Sequence, residues 1–182
     1  MTSLPPPRAA GGTPYRIAIV CLGNICRSPM ADVILTDRVE AAGLGGKVEV
    51  VSAGTGDWHV GNPMDRRAAA LLTAHGYDAS QHTARQFEKV WFEDVDVVLA
   101  MDSDNLADLE AMRPPDHEDG RLLLFRAFDP VSRGEFDRDV TKSPLRNQIW
   151  RTPGVAGEYP LWLVVRDGHG GASACELVVV VE

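Results

Sequence analysis

Arg16-Ile17-Ala18-Ile19-Val20-Cys21-Leu22-Gly23-Asn24-Ile25-Cys26-Arg27-Ser28-Pro29 runs from an apolar segment through a short polar loop into a helix start. Arg16–Val20 reads as a buried strand. Pro29 suits the first turn of a helix, where its missing N–H is no loss. Between them, Cys21 and Arg27 frame a loop of pattern C-x5-R-S. A loop wrapped before a helix N-terminus turns several backbone N–H groups inward and makes a nest for an oxyanion. The helix dipole adds partial positive charge at the same place. Gly23 permits a tight backbone, and Asn24 tolerates a left-handed one. Arg27 carries a planar fork of donors matched to two phosphate oxygens. Leu22, Gly23, Asn24, Ile25, Cys26 and Ser28 are therefore expected to bind phosphate together with Arg27. Cys21 lies under the bound phosphorus, where the surrounding donors favour a thiolate and Ser28 is placed to hydrogen-bond it. Such a thiolate is a nucleophile positioned for in-line phosphoryl transfer.

Strand and helix signals alternate on both sides of this loop. Pro29–Ala42 separates an apolar from a charged face and stops at Gly43. Lys47–Ser52 is β-branched and alternating, and Pro63–His75 is Ala/Leu-rich and ends at Gly76. Val95–Met101 reads as a strand, Asp104–Met112 as a short helix ended by Pro114-Pro115, and Leu122–Arg126 as a fourth strand. This order predicts an α/β fold: a four-stranded parallel sheet with helices on both faces, and the phosphate-binding loop between the first strand and the first helix. The site then sits at the carboxyl end of the first strand.

The chain has 182 residues, enough for one domain with a sizeable core. Hydrophobic residues make up 45% and charged residues 24%, which excludes a disordered or collagen-like chain. Its 18 Lys+Arg against 26 Asp+Glu give a net charge of −8, which disfavours nucleic-acid partners and leaves phosphate recognition to a local site. The longest apolar runs, Leu161–Val165 and Leu177–Val181, are far short of a membrane helix, so no membrane partner is expected. Met1–Pro14 lacks the apolar stretch of a secretory signal and reads as a disordered leader on a cytoplasmic protein. Three cysteines, two of them in one loop, are not a secreted disulfide framework. No second Cys/His cluster follows, so neither a metal nor a cofactor is expected.

Cys21–Asp32 resembles the loop of low-molecular-weight protein tyrosine phosphatases, in a bacterial, actinobacterial-like form. The resemblance continues through Ser52–Thr55, Trp58–Pro63, Asp65–Arg67, His82–Gln86, Ala100–Asp102 and Phe128–Pro130, over residues 15–140. It implies that Cys21 is the nucleophile and Arg27 the phosphate clamp. It also implies that Ser28 hydrogen-bonds the thiolate, that Asn24 shapes the loop, and that a phosphotyrosine protein is the substrate. Cys26 matches the family's second loop cysteine, which pairs reversibly with the nucleophile on oxidation; a small buried hydrophobe is the other reading of the same residue. Related arsenate reductases need two further mid-chain cysteines, and residues 27–174 contain none. Related arginine phosphatases carry threonine where this loop has Ile25, whose branched apolar side chain suits a phenyl ring better. Trp58 and His59 match the wall beside that ring.

The resemblance stops after Val140. A poor leaving group needs a proton donor, which the family supplies from a late Asp-Pro-aromatic-aromatic loop. Asp139-Val140 is followed instead by Thr141-Lys142-Ser143-Pro144. Asp129-Pro130 matches the family's earlier, non-catalytic Asp-Pro, and Asp137 and Asp139 remain as surrogates, the question being whether a carboxylate from Asp129, Asp137 or Asp139 reaches the loop mouth. Residues 141–182 form an atypical C-terminal segment with no amphipathic helix. Its two apolar runs read either as strands or as segments that favour self-association. The reading from these facts is a phosphatase acting through a phosphocysteine on Cys21. The alternative is a phosphotyrosine-binding module with impaired turnover. Elsewhere, Arg66 and Arg67 read as a solvated helix face, Trp91 and Phe92 as core, and Cys175 as an ordinary thiol. No role attaches to His75, His82, His117 or His169.

Overall fold

The computed structural model of the protein describes residues 4–8, 13–117 and 120–128 in full, and the backbone of 158–166 and 172–180. Strands β1 (Tyr15–Cys21), β2 (Val48–Gly54), β3 (Val97–Ala100) and β4 (Leu122–Leu124) form the expected sheet, in the order β2-β1-β3-β4. Every pairing in it is parallel: β1 runs beside β2 from Tyr15↔Val48 to Cys21↔Gly54, and beside β3 from Ile17↔Val97 to Val20↔Ala100. The chain leaves β1 toward one neighbour and returns to the other, so a crevice opens at the carboxyl end of β1.

Alternation along β1 builds two apolar layers. Ile17, Ile19 and Cys21 point into one, with Met30, Ala31, Leu35 and Val39 of α1 (Arg27–Ala41) and Ala68 and Leu72 of α2 (Arg66–Ala74). Ala18 and Val20 point into the other, with Phe92 of α3 (Trp91–Asp94) and Leu109 of α4 (Ser103–Met112). Helices therefore cover both faces. Gly43 and Gly76 follow α1 and α2 at φ +73° and +84°, the left-handed stop that glycine takes without steric cost. Phe92 is fully buried, with its ring edge-on to Phe87 at 5.0 Å, as a core residue should be.

The start of α2, the end of β4 and the presence of α3 differ from expectation. α2 begins at Arg66, not Pro63, because the Asp65 side chain accepts from the N–H groups of Arg67 and Ala68 and so caps the helix there. β4 ends at Leu124, and residues Phe125–Phe128 form a 3-10 turn that buries both phenylalanines. The short α3 carries too few residues to show a helical period.

The leader is a clearer correction. Residues 4–8 are docked, not disordered. Leu4 packs on the core, Tyr15 Oη donates to the Pro5 carbonyl at 2.8 Å, and Arg121 Nη1 donates to the Pro6 carbonyl at 2.8 Å. The Arg8 N–H donates to Asp96 Oδ1 at 2.6 Å and its Nε to the Val95 carbonyl at 2.9 Å. Asp96 and Arg121 are only 7% and 5% exposed, so each needs partners, and the leader backbone supplies part of them. Burial also pushes the Tyr15 phenol well above its ordinary pKa, with the Asp96 carboxylate adding to the effect.

Both late apolar runs are strands. β5 (Glu158–Arg166) and β6 (Ala172–Val180) pair antiparallel, Leu161 opposite Leu177, in a sheet of their own. The boundary expected at residue 140, and the acid candidates Asp129, Asp137 and Asp139, lie outside the described residues.

Candidate active site

Cys21 closes β1 and is 3% exposed. Residues 22–26 then bend around it before α1 starts at Arg27. The Cys21 Sγ lies 2.9 Å from Ser28 Oγ, and the Asn24 N–H donates to Sγ at 3.3 Å. Ser28 thus lies beside the sulfur, where the sequence places it, and a backbone N–H joins it there.

Asn24 holds the loop shape. It is fully buried at φ +51°, the left-handed region foreseen for it. Its Nδ2 donates to Ser28 Oγ at 2.9 Å, and its Oδ1 accepts from the Arg85 N–H at 2.9 Å. Its own carbonyl accepts from His82 Nε2 at 2.7 Å. Burial lowers the His82 pKa, which favours a neutral ring carrying its proton on Nε2. His82 was given no role from sequence. It stands 58 residues from its partner, and no local pattern announces such a contact.

Arg27 donates from Nη1 to Asp102 Oδ2. Asp102 caps α4, where its Oδ1 accepts from the Asn105 N–H at 2.7 Å. One carboxylate thus fixes a helix start and orients the loop arginine. This second role of Asp102 was also missed from sequence, because it depends on β3 lying beside β1.

Three further contacts set the loop against its surroundings. The Thr55 and Gly56 N–H groups donate to the Cys21 and Leu22 carbonyls, both at 2.9 Å, and the Asp65 N–H donates to the Ile25 carbonyl at 2.8 Å. Gly54 makes this closeness possible: a Cβ there would lie 2.7 Å from the Leu22 carbonyl oxygen. Gly23 plays the same part under His59, whose Cδ2 would be 2.9 Å from a Cβ.

Above the loop, Cys21, Leu22, Gly23, Ile25, Cys26, Arg27, Trp58 and His59 line a cleft of about 190 Å³. Trp58 is 61% exposed and its ring centroid is 6.3 Å from that of His59. Both line the cleft beside the loop. Ser28 is buried under the thiol, away from the cleft lining, with its one hydroxyl proton free to go either to the Ala53 carbonyl at 3.2 Å or to the Cys21 sulfur. Cys26 and Cys21 are free thiols. Burial raises the Cys26 pKa above its ordinary value, and the Asp65 carboxylate and Cys21 raise it further, so it favours the neutral thiol. Among the described residues no group of three His, Cys, Asp or Glu side chains is arranged to hold a metal ion. None of their helices is long and apolar enough to cross a membrane.

Comparison with known proteins agrees with this geometry. The family model for low molecular weight phosphotyrosine protein phosphatase matches residues 16–148. The chain is 47% identical, over 124 residues, to a low molecular weight protein-tyrosine-phosphatase of Streptomyces coelicolor, covering 68% of this chain and 75% of that one. Among solved structures it is similar to YfkJ from Bacillus subtilis, with 35% identity, a TM-score of 0.61, and coverage of 64% of this chain and 73% of that one. It is also similar to a Drosophila arginine phosphatase, with 34% identity, a TM-score of 0.58, and coverage of 62% and 71%.

Proposed function

The chain belongs to the low molecular weight phosphotyrosine protein phosphatase family, and from that premise we propose that Cys21 hydrolyses aryl phosphomonoesters, with protein phosphotyrosine as substrate. The observation that carries this is the Cys21 sulfur held between Ser28 Oγ and the Asn24 N–H at the floor of an open cleft. The thiolate attacks phosphorus in line with the phenolic oxygen. The S–P bond forms, the P–O bond to the ring breaks, and the electron pair passes to the phenolic oxygen, which takes up a proton as it leaves. Water then attacks the phosphocysteine, releases inorganic phosphate and restores the thiolate. Leu22, Gly23, Asn24, Ile25 and Cys26 supply the loop that cradles the phosphate, with Arg27 as the charged clamp. Ser28 steadies the thiolate as it forms and as it leaves phosphorus.

Ile25 favours a phenyl ring over a guanidinium in the cleft, which supports tyrosine over arginine as the phosphate carrier. A thiolate nucleophile also requires a reducing compartment, so the cytoplasm is part of the same proposal. The alternative of a binding module with impaired turnover finds no support in the comparisons.

Hydrolysis of para-nitrophenyl phosphate, phosphotyrosine and phosphoarginine, with Cys21→Ser as the blank, tests the proposal. Nitrophenolate leaves without proton help, whereas tyrosine, with a pKa of about 10, does not. Turnover of both aryl esters and a dead blank is the expected result. Turnover of the nitrophenyl ester alone would mean that no general acid reaches the cleft. Preferential turnover of phosphoarginine would overturn the substrate assignment.

A further inference from the structure

Beside the loop cleft lies a second, wider one of about 540 Å³, lined by Asp65, Arg66, Arg67 and Ala70. The two are neighbours, since the Asp65 N–H is bonded to the Ile25 carbonyl, and Asp65 and Arg67 both lie within electrostatic range of Cys26. The second cleft therefore borders the first, within reach of residues that flank a phosphotyrosine held there. Its cations are arranged with care. Asp65 Oδ1 accepts from the Arg67 N–H at 2.9 Å and from Arg67 Nε at 3.2 Å, which pins that guanidinium by its inner nitrogen. Hydrogen bonding from Arg67 holds the Asp65 carboxyl below the usual range, so the pin persists into mild acid. Arg66 is exposed and has no hydrogen-bond or ion-pair partner among the described residues. On a chain of net charge −8, two adjacent guanidiniums at the edge of the site form a local exception.

We propose that Arg66 and Arg67 form a flanking subsite that selects phosphotyrosine peptides with acidic residues next to the phosphotyrosine. This rests on the phosphatase reading and adds the substrate class. Solvent-exposed charge pairs of this kind act on encounter and on selectivity more than on chemistry. Each is worth little alone. The experiment compares two phosphotyrosine peptides, one flanked by glutamates and one by glutamines. The expected kcat/KM ratio is about fivefold in favour of the acidic peptide at low salt, declining as ionic strength rises. In Arg66→Glu the ratio should fall to about one or below. Arg66 is exposed and makes no hydrogen bond or ion pair with a described side chain, so the charge reversal tests the subsite and not the fold. Arg67→Gln should lower the ratio as well. A ratio near one in the unaltered protein, or a ratio unchanged in Arg66→Glu, would overturn the proposal. If no peptide and no para-nitrophenyl phosphate is turned over, the phosphatase reading has failed. The affinities of the two peptides for Cys21→Ser, with and without Arg66→Glu, then decide the subsite by the same ratios.

Discussion

At the level of single residues, the loop depends on side chains that never face the substrate. Asn24 is the sharpest case. It satisfies Ser28 Oγ, the Arg85 N–H and His82 Nε2 at once, from a left-handed backbone. Asn24→Ala removes two of these partners in a buried setting. It is expected to cost about 2 kcal/mol of stability and about tenfold in kcat through loss of loop geometry. Thermal unfolding and para-nitrophenyl phosphate turnover measure the two effects separately. His82 adds a pH dependence. Its folded pKa lies below the unfolded value, so between the two the unfolded chain binds more protons. Stability should therefore decline as pH falls through about 6.5, the ordinary histidine value. His82→Gln, which keeps a donor but does not titrate, should flatten that decline in melts taken from pH 7.5 to 5.5. An unchanged slope would remove His82 as the cause.

Elements meet where side chains are missing. β2 ends at Gly54, directly against the Leu22 carbonyl, and the chain reaches Gly56, whose N–H continues the contact. A methyl group at Gly54 has backbone, not a flexible side chain, in its way. Gly54→Ala should therefore displace the loop bodily. The expected loss is about 1–3 kcal/mol of stability and about a hundredfold in kcat/KM. Near-normal activity in a folded Gly54→Ala protein would show that the loop shifts more freely than this contact implies.

The molecule as a whole separates chemistry from anchoring. The loop with Cys21 and Arg27, to which the proposed chemistry belongs, sits at the carboxyl end of β1. The leader docks at the opposite end, where Tyr15 begins β1, Asp96 precedes β3 and Arg121 precedes β4. Deleting residues 1–8 removes the Arg8 N–H bond to Asp96 and the Pro6 carbonyl bond to Arg121, and should destabilise the protein by about 2–4 kcal/mol. The kcat of the folded fraction should not change. A truncated protein that melts like the full chain would show that the leader contributes nothing. Among the described residues β5 and β6 pair only with each other, and a strand edge left unpaired invites pairing with a second copy. Concentration-dependent association in size-exclusion chromatography is the expected outcome, and a monomer at all concentrations would overturn it.

The four parallel strands, the two glycine stops and the loop with Cys21, Asn24, Arg27 and Ser28 were legible in the sequence, because each rests on neighbours within one strand, one turn or one helix end. Hydrophobic period, proline and glycine placement, and the C-x5-R-S spacing are all local properties. The start of α2 was misread by three residues because a cap decides a helix end more sharply than its apolar period does. Only the tertiary structure revealed what lies beyond that range. It set His82 on Asn24, Asp102 on Arg27, Gly54 against Leu22 and the leader on Asp96 and Arg121. Each contact joins residues far apart in the chain. Gly54 is needed because two backbone segments meet there with no room for a side chain, and the others answer a demand that arises on burial: a polar group taken out of water needs a partner, wherever in the chain that partner lies.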